Sequence, residues 1–143
     1  RQNLEIALQH HVKPEEMKAK IGQVLAFLKL DGVQSQTAGF LSHGLKQWLE
    51  IGMAISLEPR LLLLDEPTAG MSPEETRATG EIVQQLNAEG VSVLAVEHDM
   101  TFVRQVAHRV TVLHFGRIFA EGTIDEIVAN ERVAAIYLGQ ELA

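Results

Sequence analysis

Apolar residues recur at helical spacing through the first part of the chain and in short unbroken runs through the second. From Pro14, a stripe of Met17, Ile21, Val24, Leu25 and Leu28 predicts an amphipathic helix. Pro14 suits its first turn, and Glu15 and Glu16 suit the positive end of its dipole. Asp31-Gly32 is expected to close it. Val33 to Phe40 is small and polar and is expected to be a loop. A second helix is predicted from Leu45 to Leu57, capped by Ser42 and ending before Pro59.

The period then changes. Leu61 to Leu64 is a continuous apolar run ending in Asp65, the pattern of a strand buried on both faces. Ser72-Pro73-Glu74-Glu75 supplies a cap, a first-turn proline and a capping-box glutamate, opening a helix expected to end at Gly90. Val91 to Val96 is a second apolar strand. Strand, helix and strand make one βαβ unit, for which parallel strands and a right-handed crossover are expected. Asp99 can cap a short helix from Met100 to Ala107. Val110 to Phe115 and Arg117 to Ala120 read as two strands around Gly116, and Thr123 to Glu126 offers a capping box for a last helix. The predicted fold class is α/β: a helical segment over 1–57, then over 58–143 a mainly parallel sheet with flanking helices.

Composition narrows the picture. At 143 residues the chain is one domain or a piece of one, without internal repeats or low-complexity stretches. Zero cysteines exclude thiolate zinc sites, disulfide scaffolds and a cysteine nucleophile. Twelve Lys and Arg against 19 Asp and Glu, a formal −7, argue against a domain that holds duplex nucleic acid by neutralising phosphates. No apolar run reaches the roughly 18–20 residues that cross a bilayer, so membrane contact is expected to go through a partner protein. The chain opens at Arg1 in mid-pattern, without a methionine or a signal-peptide pattern, as a processed chain or a fragment would.

In a parallel sheet, ligands bind beyond the carboxyl ends of the strands. Asp65 and Glu66 stand at the end of the first predicted strand. One such carboxylate can hold Mg²⁺ through water while its neighbour orients an attacking water; the bland reading is a pair of solvated acids. Val96-Glu97-His98-Asp99 ends the second strand and sets His98 at the same edge, where imidazole can donate to a phosphate oxygen or to that water. A lone histidine there is more often a surface residue. His10, His11, His43, His108 and His114 show no metal-ligand spacing. Leu41-Ser42-His43-Gly44 leads into a helix with a hydroxyl, a glycine and free N–H groups, a set that either binds an anion or only caps the helix.

In this order, these elements resemble the ATP-binding-cassette (ABC) transporter ATPases, a P-loop NTPase-like family. Leu41-Ser42-His43-Gly44-Leu45-Lys46-Gln47 resembles the family signature and Leu61 to Glu66 its Walker B strand. Ala69-Gly70-Met71-Ser72 resembles the D-loop, and His98 the switch histidine. The segment before Leu41 resembles the helical subdomain, and Gly116 to Gly122 the strand pair after the switch. Lys46 to Met53, Val96 to Met100 and Ile136-Tyr137-Leu138-Gly139 are most similar to importers of urea and branched-chain amino acids. The resemblance implies ATP and Mg²⁺ as cofactors, with Asp65 holding Mg²⁺ through water, Glu66 acting on water and His98 touching the γ-phosphate. It implies that Ser42, His43 and Gly44 meet the ATP of the opposite subunit, with Gly70 in the D-loop. The partners implied are a second ATPase subunit, identical or not, and transmembrane permease subunits, with the protein cytoplasmic and peripheral on the inner face of the membrane. Leu45 stands where the signature usually has glutamine, which removes a polar contact, and Ser72 where many D-loops have aspartate.

The family's Walker A run, Gly-x-x-x-x-Gly-Lys-Ser/Thr, does not occur. The aromatic adenine-stacking segment and the glutamine loop are also missing, and Arg1-Gln2-Asn3-Leu4 resembles the stretch just after that loop. These residues are therefore expected to be the C-terminal part of a longer ATPase, with an open sheet edge and uncovered apolar faces on Leu61 to Leu64 and Val91 to Val96. Two other readings are an inactive truncated cassette serving as an assembly module, and a soluble cassette ATPase of repair or translation.

Overall fold

The computed structural model describes residues 1–137, so Leu138 and Gly139 of the tail lie outside the described residues. The chain divides into two compact units, Arg1–Asp99 and the part from Met100 onward.

The first unit begins with three helices, α1 (Gln2–Leu8), α2 (Pro14–Phe27) and α3 (His43–Ile55). Leu4 and Leu8 of α1, Ile21, Val24 and Leu25 of α2, and Trp48, Leu49 and Ile51 of α3 are buried together with Leu28 and Leu30. An alanine at Gly52 would bring its Cβ to 2.5 Å from Leu28 Cδ1, so glycine sets the distance between α3 and the end of α2. Helix α2 stops four residues before the expected Asp31-Gly32. Lys29 takes a left-handed φ of 56°, its N–H donates to the Ala26 carbonyl at 3.1 Å, and Leu30 N–H donates to Leu25 at 2.8 Å. This is the Schellman arrangement, and burial of Leu30 holds a lysine where glycine is usual. The expected loop after it contains two single 3-10 turns, Asp31–Val33 and Ala38–Phe40.

Strand β1 (Leu61–Asp65), helix α4 (Pro73–Ala88) and strand β2 (Ser92–Val96) follow as one βαβ unit. The strands are parallel and in register from Leu61 opposite Ser92 to Asp65 opposite Val96. The capping box of α4 is complete: Ser72 Oγ accepts from Glu75 N–H at 3.2 Å, and Glu75 Oε2 accepts from Ser72 N–H at 3.0 Å. Gly90, at φ +92°, ends the helix where the sequence puts it.

The strand pair is covered on one side only. Leu62 and Leu64 are buried, whereas Leu61, Leu63, Leu94 and Val96 project from the other face, with Leu63 66% and Leu94 60% exposed. Burial on both faces, the pattern's first implication, is thus absent here, and one apolar face of the strand pair is uncovered.

The second unit holds α5 (Met100–Val106), the antiparallel hairpin β3 (Val110–His114) and β4 (Arg117–Gly122), and helices α6 (Ile124–Ala129) and α7 (Glu131–Tyr137). Phe115 and Gly116 form the two-residue turn with φ of 47° and 71°, the pair of positive angles that a type I′ hairpin needs. Thr123 and Glu126 cap α6 reciprocally.

The bare face of β1 and β2 predicts self-association, because contiguous exposed leucine and valine on a two-stranded sheet is an association surface. Sedimentation velocity at micromolar concentration should show species larger than a monomer, and Leu63→Lys with Leu94→Lys should return the chain toward monomer. A monomeric wild-type chain that melts cooperatively would contradict this.

Candidate catalytic site

Parallel pairing brings the carboxyl ends of β1 and β2 side by side, and two groups of side chains build up from that edge. Asp65 closes β1 opposite Val96, on the same exposed face as Leu61 and Leu63. Glu66 N–H extends the ladder by one bond to the Val96 carbonyl at 2.9 Å, while Glu66 itself turns left-handed at φ 45°. That conformation is costly for a non-glycine residue and persists only where its surroundings hold it. The chain then folds back through Pro67, with Ala69 N–H donating to the Glu66 carbonyl at 3.0 Å and Met71 N–H to the Thr68 carbonyl at 3.1 Å.

This turn leaves Glu66 Oε1 3.8 Å from His98 Nδ1. Both side chains are exposed and the separation exceeds a hydrogen bond, so the pair adds little stability. Its significance is positional: a carboxylate and an imidazole can both reach a single oxygen atom placed between them. Asp65, Glu66 and His98 are therefore brought to one edge.

Glu97 underlies this edge. Its side chain is only 2% exposed. Oε1 accepts from Thr68 N–H at 2.9 Å and from the Thr68 hydroxyl, and Oε2 accepts from the backbone N–H of His98 at 2.9 Å and of Asp99 at 3.2 Å. Burial pushes its carboxyl up, but the Thr68 hydroxyl and the amides of Asp99, Thr68 and His98 outweigh burial and hold it below the ordinary glutamate value.

The second group sits at the start of α3. Ser42 is the N-cap, accepting from Leu45 N–H at 3.3 Å and donating to Glu75 Oε1 at 3.3 Å. A Cβ at Gly44 would lie 2.6 Å from that same Glu75 oxygen, so the close approach this glycine permits is made by a carboxylate of α4. Gly70, at φ +69°, lies against the His43 ring, whose Cδ2 would be 3.6 Å from an added Cβ. Ser42, His43, Gly44 and Gly70 are thus joined around the capping box of α4. The Ser72 backbone amide foremost, with the hydroxyls of Ser72 and Ser42, holds the Glu75 carboxyl below its ordinary value.

Among the described residues no three His, Asp or Glu converge into a metal cage. Mg²⁺ commonly takes one or two carboxylates and completes its shell with water and phosphate oxygens, and the exposed Asp65 at a strand end fits that donor set. At the α3 N-terminus the Ser42 hydroxyl and the approach to Gly44 are taken up by the Glu75 carboxylate, so a phosphate oxygen there would have to displace it. Neither Glu97 nor Glu75 stands out by composition, because each is one more acid in an acidic chain. The signal for Glu75 is its capping-box spacing, and for Glu97 only its place between an apolar strand and His98.

A family model described as ABC transporter matches residues 1–69, which include both Ser42 to Gly44 and Asp65-Glu66. The high-affinity branched-chain amino acid transport ATP-binding protein BraF of Pseudomonas aeruginosa is 37% identical over 107 residues, 74% of this chain and 42% of BraF. The chain belongs to the ABC transporter ATPase family. The methionine import ATP-binding protein MetN of Streptococcus pneumoniae is 32% identical over 133 residues, 92% of this chain and 38% of MetN. A solved ATP-binding cassette of an ABC transporter in its ADP conformation superposes with a TM-score of 0.80 at 31% identity, over 90% of this chain and 52% of that one. The cassette chain described here spans about half or less of the length of each. The family binds ATP, and the fold is that of its P-loop NTPase-like core.

The lowered Glu97 carboxyl predicts a signed acid dependence. A glutamate depressed in the native state stabilises fully above its unfolded value, about 4.3, and that contribution disappears as pH falls through the lower native value. Urea unfolding from pH 6 to pH 3 should show wild type ahead of Glu97→Gln at pH 6 and the gap closing with acid. A gap that widens with acid would contradict the assignment.

Proposed function

We propose that the chain is the signature and Walker B part of the ATP-hydrolysing subunit of an importer. Residues 1–57 would carry the signature on the helical subdomain and 58–143 the catalytic core. The observation that carries this reading is the 3.8 Å approach of Glu66 Oε1 to His98 Nδ1 beside Asp65, at the carboxyl edge of two parallel strands.

Mg²⁺ bound with ATP supplies charge neutralisation at the transferring phosphoryl group. Asp65 would hold the cation, Glu66 would orient a water and accept its proton, and His98 would donate a hydrogen bond to the γ-phosphate. Ser42, His43 and Gly44 at the α3 N-terminus address the nucleotide of a second subunit, identical or not, with Gly70 in the D-loop beside them. In this reading permease subunits carry the membrane crossing and the ATPase lies at their cytoplasmic side; no helix among the described residues is long and apolar enough to cross a membrane. The similarity to BraF favours branched-chain amino acids as cargo, and urea is the other cargo that the sequence pattern supports. The Walker A lysine and its loop would come from a segment outside these 143 residues.

Titration calorimetry of Mg-ATP tests the reading. The chain alone should bind negligibly, and the chain mixed with a separately made segment carrying a P-loop should bind and hydrolyse. Tight binding by the chain alone would require different residue roles, and no binding on mixing would favour an inactive assembly module. In the hydrolysing mixture, Glu66→Gln should slow turnover by roughly 10²–10⁴-fold, the loss expected on removing a general base, while ATP binding persists. Unchanged turnover would remove Glu66 from that role.

A further inference from the structure

We propose that Glu97 is a positioning residue that fixes His98 against Glu66 by tying the two loops of the site to one buried carboxylate. The proposal rests on the hydrolytic reading above. Glu97 accepts four hydrogen bonds, two from Thr68 and one each from the His98 and Asp99 amides. A carboxylate has about four acceptor positions, so all are occupied and the side chain has one orientation. The donors come from opposite sides of the site. Thr68 lies two residues after Glu66, and His98 is itself the residue whose ring faces Glu66.

Two features show why such a tie is needed. The His98 ring is 71% exposed, so packing does little to hold it; its Nδ1 lies 3.8 Å from both Glu66 Oε1 and Glu97 Oε2, and its place depends on its backbone and on that carboxylate. Glu66 sits in a left-handed conformation that surrounding contacts must over-determine, and Pro67 and Thr68 just after it are buried. Glu97 anchors both: Oε1 pins the turn leaving Glu66, and Oε2 pins the start of the His98 loop. A helix cap or an isolated loop bond would fix only one of the two loops.

The test compares Glu97→Ala, Glu97→Gln and Thr68→Val with wild type. In the 143-residue chain without nucleotide, amide exchange at His98 and Asp99 should rise about 10–100-fold in Glu97→Ala, the size of a lost charged hydrogen bond. Glu97→Gln, which keeps one acceptor oxygen, should fall between. The Overhauser contact between the His98 ring and the Glu66 methylenes should vanish in Glu97→Ala and weaken in Thr68→Val, which removes the hydroxyl bond of the opposite loop and keeps its amide bond. In the mixture with the P-loop segment, kcat should fall by about 10–100-fold at unchanged KM for ATP, as displacement by about 1 Å does. Wild-type exchange rates in Glu97→Ala would overturn the proposal. So would a retained ring contact, or an opened loop with unchanged kcat. If the wild-type mixture does not hydrolyse ATP, the hydrolytic reading fails by itself, and the exchange and Overhauser results still decide whether Glu97 holds His98 to Glu66.

Discussion

Helix α3 is held along its length by close contacts, tightest where Gly52 meets Leu28, and the first unit is arranged around that constraint. At Gly52 the neighbour is Leu28 of the α2 terminus, and at Gly44 it is the Glu75 carboxylate of α4. Between them the Trp48 indole N–H donates to the Thr79 hydroxyl at 2.8 Å, and that hydroxyl donates to the Glu75 carbonyl at 2.8 Å. A buried indole without an acceptor, or a buried threonine without a donor, costs on the order of 1–3 kcal/mol, so this seam admits one register. Ser42 and Gly44 are placed as a consequence: with α3 fixed along its length, they lie at the start of α4.

Two acids then do in the loops what glycines do in the helix. Glu75 joins Ser42 to Ser72, and Glu97 joins Thr68 to His98 and Asp99. Both carboxyls are held below their ordinary range by the donors around them, although Glu97 has burial working against it and Glu75 has little. In a chain of formal charge −7, most acids face water and could be exchanged at little cost. These two act as connectors, and the acids assigned chemistry, Asp65 and Glu66, stay exposed beside them.

Local signals were the legible ones. Ser72-Pro73-Glu74-Glu75 and Thr123 to Glu126 specify their caps through residues three apart, so composition and geometry coincide. The strands were equally plain, since apolar runs of that length between turn residues leave little alternative. The end of α2 was not, because Lys29 is left-handed only by virtue of Leu30 finding the core, a contact the local pattern does not encode. At the site, the meeting of Glu66 and His98 followed from parallel pairing alone. The burial of Glu97 and the closeness of Glu75 to Gly44 depend on neighbours roughly thirty residues away, and no spacing rule reaches that far.

The register of β1 and β2 has one more consequence. Asp65 lies opposite Val96 on the face that also carries Leu63 and Leu94. Whatever covers those leucines takes the carboxylate out of bulk water as well, and a desolvated anion is costly unless a cation pairs with it. In the reading proposed above, closing the sheet and charging the site would be one thermodynamic event: apolar cover would make Asp65 a stronger cation ligand, and a cation there would lower the penalty of applying the cover.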